Sequence, residues 1–236
     1  MRFGCCINMV ASEPDGIGTE HLNELEYLGY DYVEMMGLDE QKFLELKSRV
    51  DRLSIRCEVC NNFFPKHIRL TGQEVHMDRI MNYARHALTR AEALGAACVV
   101  FGSGAAKNVP DGTSLENGYQ QIVELLNQIA PLAEDKGIII CIEPLRKQEC
   151  NLINTFNEGS SLADEINHPN IKVLIDYFHM MAEREPMNHL RKLGKKHLAH
   201  VHFSSSGREF PGYRKEAAYH IFFDALREIE YDGRVS

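Results

Sequence analysis

Apolar residues along this chain fall into two alternating kinds of segment. Short, nearly unbroken aliphatic runs read as strands buried on both faces, because a half-exposed strand would alternate polar and apolar residues. Between them lie stretches with apolar residues three and four apart, the period of an amphipathic helix. This predicts strands over 3–9, 31–36, 55–61, 97–101, 138–143, 172–176 and 198–202. Helices are predicted over 19–29, 39–50, 73–94, 115–136, 161–167, 187–193 and 217–230. Thr19 and Asp39 are suited to N-capping, and Gly29, Gly95 and Gly137 stand where helices stop. Gly233-Arg234-Val235-Ser236 begins an eighth strand.

Alternation of this kind predicts an α/β fold, a (β/α)8 TIM barrel forming one domain over residues 1–236, with an open doubly wound sheet as the alternative. The eighth strand is expected to be truncated, leaving the barrel short of a complete last unit by on the order of tens of residues.

Three of the buried runs end on a ligand-type side chain. Ile138-Ile139-Ile140-Cys141-Ile142 leads to Glu143 before Pro144, residues 172–176 end on Asp176, and residues 198–202 end on His202. In parallel α/β folds the C-terminal strand ends form the ligand-binding mouth. A buried carboxylate must be paired or coordinated, and Glu, Asp and His make a mixed oxygen and nitrogen set suited to a divalent cation. Parity puts Ile139, Cys141 and Glu143 on one inward face, Leu174 with Asp176 on the next, and Leu198, His200 and His202 on the third. His200 is expected one layer below His202, as core or as support for it.

Composition narrows the choice of partner. Hydrophobic residues make up 44% and charged residues 25%, as in ordinary globular proteins, and the net charge of −8 argues against a nucleic-acid partner. No apolar run is long enough to span a membrane, and the N-terminus reads as a strand without a signal segment, so a cytoplasmic protein is expected. The seven cysteines read as small core residues of a reducing compartment. Cys57 and Cys60, three apart on a strand, are expected on opposite faces and unable to share a metal ion. Gly102-Ser103-Gly104 lacks the lysine and hydroxyl residue of a phosphate loop and reads as a plain turn.

Glu143-Pro144-Leu145 with Glu149 and Asn151, then Asp176-x-x-His179, then His202 with Arg208 and Pro211-Gly212, resemble the xylose-isomerase-like sugar (phosphate) isomerase/epimerase family. The spacing is most similar to the ketose 3-epimerases of the D-tagatose 3-epimerase type. The resemblance implies an isomerase acting on a small-molecule sugar, with Glu143, Asp176 and His202 as metal ligands. It also implies Glu143 as a catalytic acid/base, and Glu149, His179 and Arg208 as substrate-binding residues. The implied cofactor is Mn²⁺, Mg²⁺ or Co²⁺, with Zn²⁺ also compatible; it would polarise a ketose carbonyl so that a carboxylate removes the neighbouring C–H proton through a cis-enediolate.

A fourth ligand and second acid/base, a Glu from the eighth strand in that family, would follow Ser236. With three protein ligands a bound ion would fill its shell with water, and this form is expected to be nearly inactive as an epimerase. If it is active, Glu34 and Glu58 are the first places to look for the second acid/base. An inosose-type dehydratase or a hydroxypyruvate isomerase would use similar ligands. Readings from other classes are an apurinic endonuclease and a barrel that binds sugar without turnover. Assembly with further copies of the chain is left open.

Overall fold

The computed structural model describes every residue except Asp15 and Arg214. In chain order its elements are β1 (Arg2–Cys6), α1 (Leu22–Tyr27), β2 (Tyr32–Met36), α2 (Glu40–Val50), β3 (Cys57–Asn61), α3 (Met77–Leu94), β4 (Cys98–Phe101) and α4 (Gly104–Lys107). Then follow α5 (Leu115–Glu134), β5 (Ile139–Ile142), α6 (Phe156–Ile166), β6 (Ile171–Asp176), α7 (Tyr177–Ala182), α8 (Met187–His197), β7 (Leu198–His202), α9 (Ala218–Glu228) and β8 (Arg234–Val235). The strands are all parallel and close into a barrel in sequence order, so the open sheet is set aside.

Helix starts follow local chemistry. Asp39 Oδ1 accepts from the Lys42 amide at 3.1 Å and Ser114 Oγ from the Asn117 amide at 3.1 Å, each satisfying a donor that the first helical turn leaves free. Helix α6 begins ahead of the predicted 161 because Thr155 and Glu158 form a reciprocal capping box. After Phe156 its first turn runs through Asn157-Glu158-Gly159-Ser160, which carry no apolar period. Helix α7 was not predicted, since it leaves β6 without a loop: Asp176 is the last strand residue and also the N-cap.

Burial is layered. Most of the core lies between strands and helices, while Tyr32, Val59, Cys98, Val100, Cys141 and Leu174 fill the barrel interior. Two register shifts change the strand parity that the sequence implies. In β3, Val33 pairs with Cys57 but Glu34 with Val59, and in β7, Val173 pairs with Leu198 but Leu174 with His200. Each shift skips one residue, which turns the rest of the strand over. Cys57 and Cys60 therefore both pack in the outer layer, contrary to the opposite faces expected, and the Cys57 thiol donates to the Val59 carbonyl oxygen at 3.3 Å. Leu198 likewise packs outward, and Ala199 takes an interior place beside the inward His200.

The N-terminal end of the barrel is tied by one carboxylate. Glu58 accepts from both terminal nitrogens of Arg2 at 2.5 and 2.6 Å and from Arg234 Nε at 2.6 Å, joining β3 to the two strands whose pairing completes the ring. Burial alone would raise the Glu58 pKa; the two guanidinium groups outweigh it and hold the carboxyl below its usual range. Glu58→Ala should cost about 1–2 kcal/mol in urea denaturation at pH 7, modest because the cluster is partly screened by water. A carboxyl with a depressed folded pKa stabilises above its unfolded value of about 4.3 and loses that contribution as pH falls through the folded value. The stability curves of the parent and Glu58→Ala proteins should therefore converge in acid.

Candidate metal centre

The C-terminal ends of β5, β6 and β7 bring Glu143, Asp176 and His202 together, each less than a tenth exposed. One donor atom from each lies within 4.8 Å of the other two. His202 Nδ1 stands 3.0 Å from Glu143 Oε1 and 3.8 Å from Asp176 Oδ2. Ligands bonded to one cation at about 2.0–2.3 Å have separations of this size when they sit side by side, so the donor set fits a divalent ion in both geometry and chemistry.

Each side chain is held by its own element. Asp176 Oδ1 is taken up in capping α7, accepting from the amides of Phe178 at 2.7 Å and His179 at 3.3 Å, which turns Oδ2 toward the cluster. Glu143 follows β5 directly and sits over Gly102, where an added Cβ would lie 2.1 Å from Glu143 Oε2. That glycine, at the end of β4, is needed for space beside the carboxylate, and its role in the turn is steric. Beneath it the fully buried Lys107 of α4 donates from Nζ to the Glu143 carbonyl oxygen at 3.0 Å. Nothing in Gly104-Ala105-Ala106-Lys107 distinguishes this lysine from a surface one, and the sequence reading missed it.

His202 is flanked on its other side. Its Nε2 lies 2.8 Å from Glu34 Oε1, and the second oxygen of Glu34 lies 2.9 Å from His200 Nε2. Burial disfavours a charge on His202, but Glu34 and Glu143 together hold its pKa well above the ordinary value. Burial also raises Glu143, and the His202 hydrogen bond, with His179 and Lys107 nearby, overcomes it and leaves the carboxyl lowered. For Asp176 burial wins and the pKa rises. A negatively charged, desolvated cluster around one imidazole is the electrostatic environment that a cation would neutralise.

The other expected residues lie on the same mouth. His179 is buried on α7, its Nε2 3.7 Å from Asp176 Oδ2 and its Nδ1 accepting from the Arg146 amide at 3.3 Å. Glu149 Oε1 receives Arg146 Nε at 2.7 Å and Arg208 Nη1 at 3.2 Å. Both guanidinium groups lie over the Phe178 ring, at 4.7 and 4.8 Å from its centroid. Glu34 and Glu58, named as reserve acid/base groups, do not reach this mouth: Glu34 is occupied below His202, and Glu58 is tied at the opposite end.

Replacing Gly102 with Ala should push the Glu143 carboxylate aside and weaken Mn²⁺ binding by about tenfold or more, the scale seen when a ligand's surroundings are altered. Calorimetric titration would measure this. The melting temperature should change little, because the atom displaced is the tip of a side chain.

Among known proteins, the D-psicose 3-epimerase of Agrobacterium fabrum is 36% identical over 117 residues, which cover 50% of this chain and 40% of that protein. The L-ribulose 3-epimerase of a Methylomonas species is 32% identical over 127 residues, 54% of this chain and 44% of that protein. The matched stretches thus span less than half the length of these relatives. The crystal structure of D-psicose 3-epimerase with D-tagatose from Clostridium cellulolyticum superposes on the whole chain and on 83% of its own, with a TM-score of 0.86 and 22% identity. The profile of the xylose isomerase-like TIM barrel family matches residues 22–236, and with the closed parallel barrel and its strand-end site described above, the chain belongs to that family.

Proposed function

We propose that this barrel is a divalent-metal-dependent sugar epimerase or isomerase that removes the proton from a carbon next to the carbonyl of a ketose. The observation that carries the reading is the convergence of Glu143, Asp176 and His202 at the C-terminal mouth. The names of the related ketose 3-epimerases support the substrate class.

Glu143, Asp176 and His202 would hold the ion through Oε1, Oδ2 and Nδ1. Bound there, a cation such as Mn²⁺ supplies Lewis acidity toward the substrate carbonyl. Glu143 Oε2, over Gly102, is the oxygen left to take the proton. His179 and Arg208 would hold substrate oxygens, the guanidinium kept in place by stacking on Phe178 and by Glu149. Among the described residues Glu143 and Asp176 are the carboxylates that share a donor cluster with His202 Nδ1, while Glu34 lies beneath His202 and Glu149 is paired with Arg146 and Arg208. Proton removal is therefore the step this arrangement supports best. Return of a proton to the opposite face of the carbon, which epimerisation requires, needs another group.

The test separates these steps. With Mn²⁺ in D₂O, D-psicose should exchange its C3 proton for deuterium, followed by NMR, and Glu143→Gln should abolish the exchange. D-fructose appearing alongside would place a second acid within reach of the substrate. Sugar binding without exchange in the parent protein would favour the non-catalytic barrel and overturn the proposal. Arg208→Ala should raise KM several-fold more than it lowers kcat, while stability stays within about 0.5 kcal/mol, as for most exposed positions. A large loss of melting temperature with unchanged kinetics would reassign Arg208 to folding.

A further inference from the structure

Below the proposed ligands a chain of polar groups runs from Tyr32 up to His202, and its members below His202 have no part in the reaction described above. Tyr32 and Ser236 join their hydroxyls at 2.9 Å, and Ser236 Oγ lies 3.5 Å from His200 Nε2. His200 Nε2 is 2.9 Å from Glu34 Oε2, Glu34 Oε1 is 2.8 Å from His202 Nε2, and His202 Nδ1 faces Glu143. Glu34 and His200 are wholly buried, and His200 Nδ1 has no hydrogen-bond partner among the described residues.

A buried carboxylate without donors costs several kcal/mol, so the two imidazole N–H groups are what allow Glu34 to remain charged. The requirement acts on both rings. Each must present Nε2–H to Glu34, which leaves Nδ1 as the lone-pair nitrogen in the neutral form. On His200 that lone pair is unpartnered, as the orphaned Nδ1 records. On His202 it is the nitrogen aimed at Glu143 and Asp176.

We propose that Glu34 is a positioning residue: through His202 Nε2–H it sets the ring's orientation and tautomer so that Nδ1 is presented to the cation, and His200 holds Glu34 for that task. The proposal rests on reading Glu143, Asp176 and His202 as a cation site. The alternative use of the same atoms is a second, deeper ion held by Cys6, Glu34 and His202 Nε2, whose donors also lie within 4.8 Å of one another. Both oxygens of Glu34 already have an imidazole nitrogen at hydrogen-bonding distance, which favours the positioning role.

The experiment is an EPR titration of the full chain with Mn²⁺, paired with proton NMR of the Mg²⁺-loaded protein. The parent protein should bind one Mn²⁺ and show a slowly exchanging downfield imidazole proton that is absent from His202→Asn. Glu34→Gln should lose about 10–100-fold in Mn²⁺ affinity and shift that proton upfield, as expected when the partner of a ligating histidine is removed. His200→Leu should lose affinity in the same direction, whereas His200→Gln, whose amide can still donate to Glu34, should stay within about threefold of the parent. This last pair decides the matter if Glu34→Gln does not fold, since Leu and Gln fill similar space and differ in the donor. Unchanged Mn²⁺ affinity in Glu34→Gln with its imidazole proton in place would overturn the proposal, as would equal affinities for the two His200 variants or two ions per chain. A parent protein that binds no Mn²⁺ would instead sink the reading of the cation site.

Discussion

His202 stands between two carboxylates that have almost no access to water, and that juxtaposition sets conditions the surrounding barrel has to meet. An ionised carboxylate in this setting must have donors within reach. Glu34 has two imidazoles; Glu143 has His202 on one oxygen, with Lys107 nearby bonded to its own carbonyl. Because both imidazole donors belong to one strand, β7, relative strand height matters more than the details of any loop. A parallel barrel supplies it, since every strand ends at the same mouth and each is fixed by hydrogen bonds to two neighbours.

The two ends of the barrel solve the same electrostatic problem differently. At the N-terminal end Glu58 meets two arginines that can never lose their charge, a permanent pairing suited to joining strands. At the C-terminal end the partners are histidines, and Glu34, Glu143 and Asp176 stand 2.8, 3.0 and 3.8 Å from the one His202 ring. Carboxylates crowded around a single imidazole are poorly placed for stability and well placed to receive a cation. The burial that raises the Asp176 pKa belongs to the same picture, because desolvation outweighs the nearby imidazoles of His179 and His202 and the Arg208 guanidinium, and the neighbouring Glu143 charge adds to it.

Space around these groups is as constrained as charge. Gly102 leaves room for Glu143, and Gly4 leaves room for the Tyr32 ring, which a Cβ there would meet at 2.3 Å. The Tyr32 ring helps fill the barrel interior, and its hydroxyl reaches Ser236 at the base of the buried polar chain. Packing and polar contacts thus meet on single residues, as a narrow barrel requires when each inward position has several neighbours.

The alternation of aliphatic runs and helical periods was enough to set the barrel, the order of its strands and the strand-end positions of Glu143, Asp176 and His202, because burial on both faces leaves its mark on every residue of a parallel strand. What lay outside the sequence were features that depend on one residue meeting another far along the chain. The skipped residues in β3 and β7 reversed the facing of Cys57 and of Leu198, since a bulge is settled by pairing with the neighbouring strand and has no local composition of its own. The burial of Lys107 depends on the Glu143 carbonyl 36 positions away, and the place of Glu34 depends on two histidines more than 160 positions away. Strand ends could be read from the sequence because hydrophobic periodicity is local; the partners of the buried charges were decided by the tertiary structure, because only a closed barrel brings β2 across from β7.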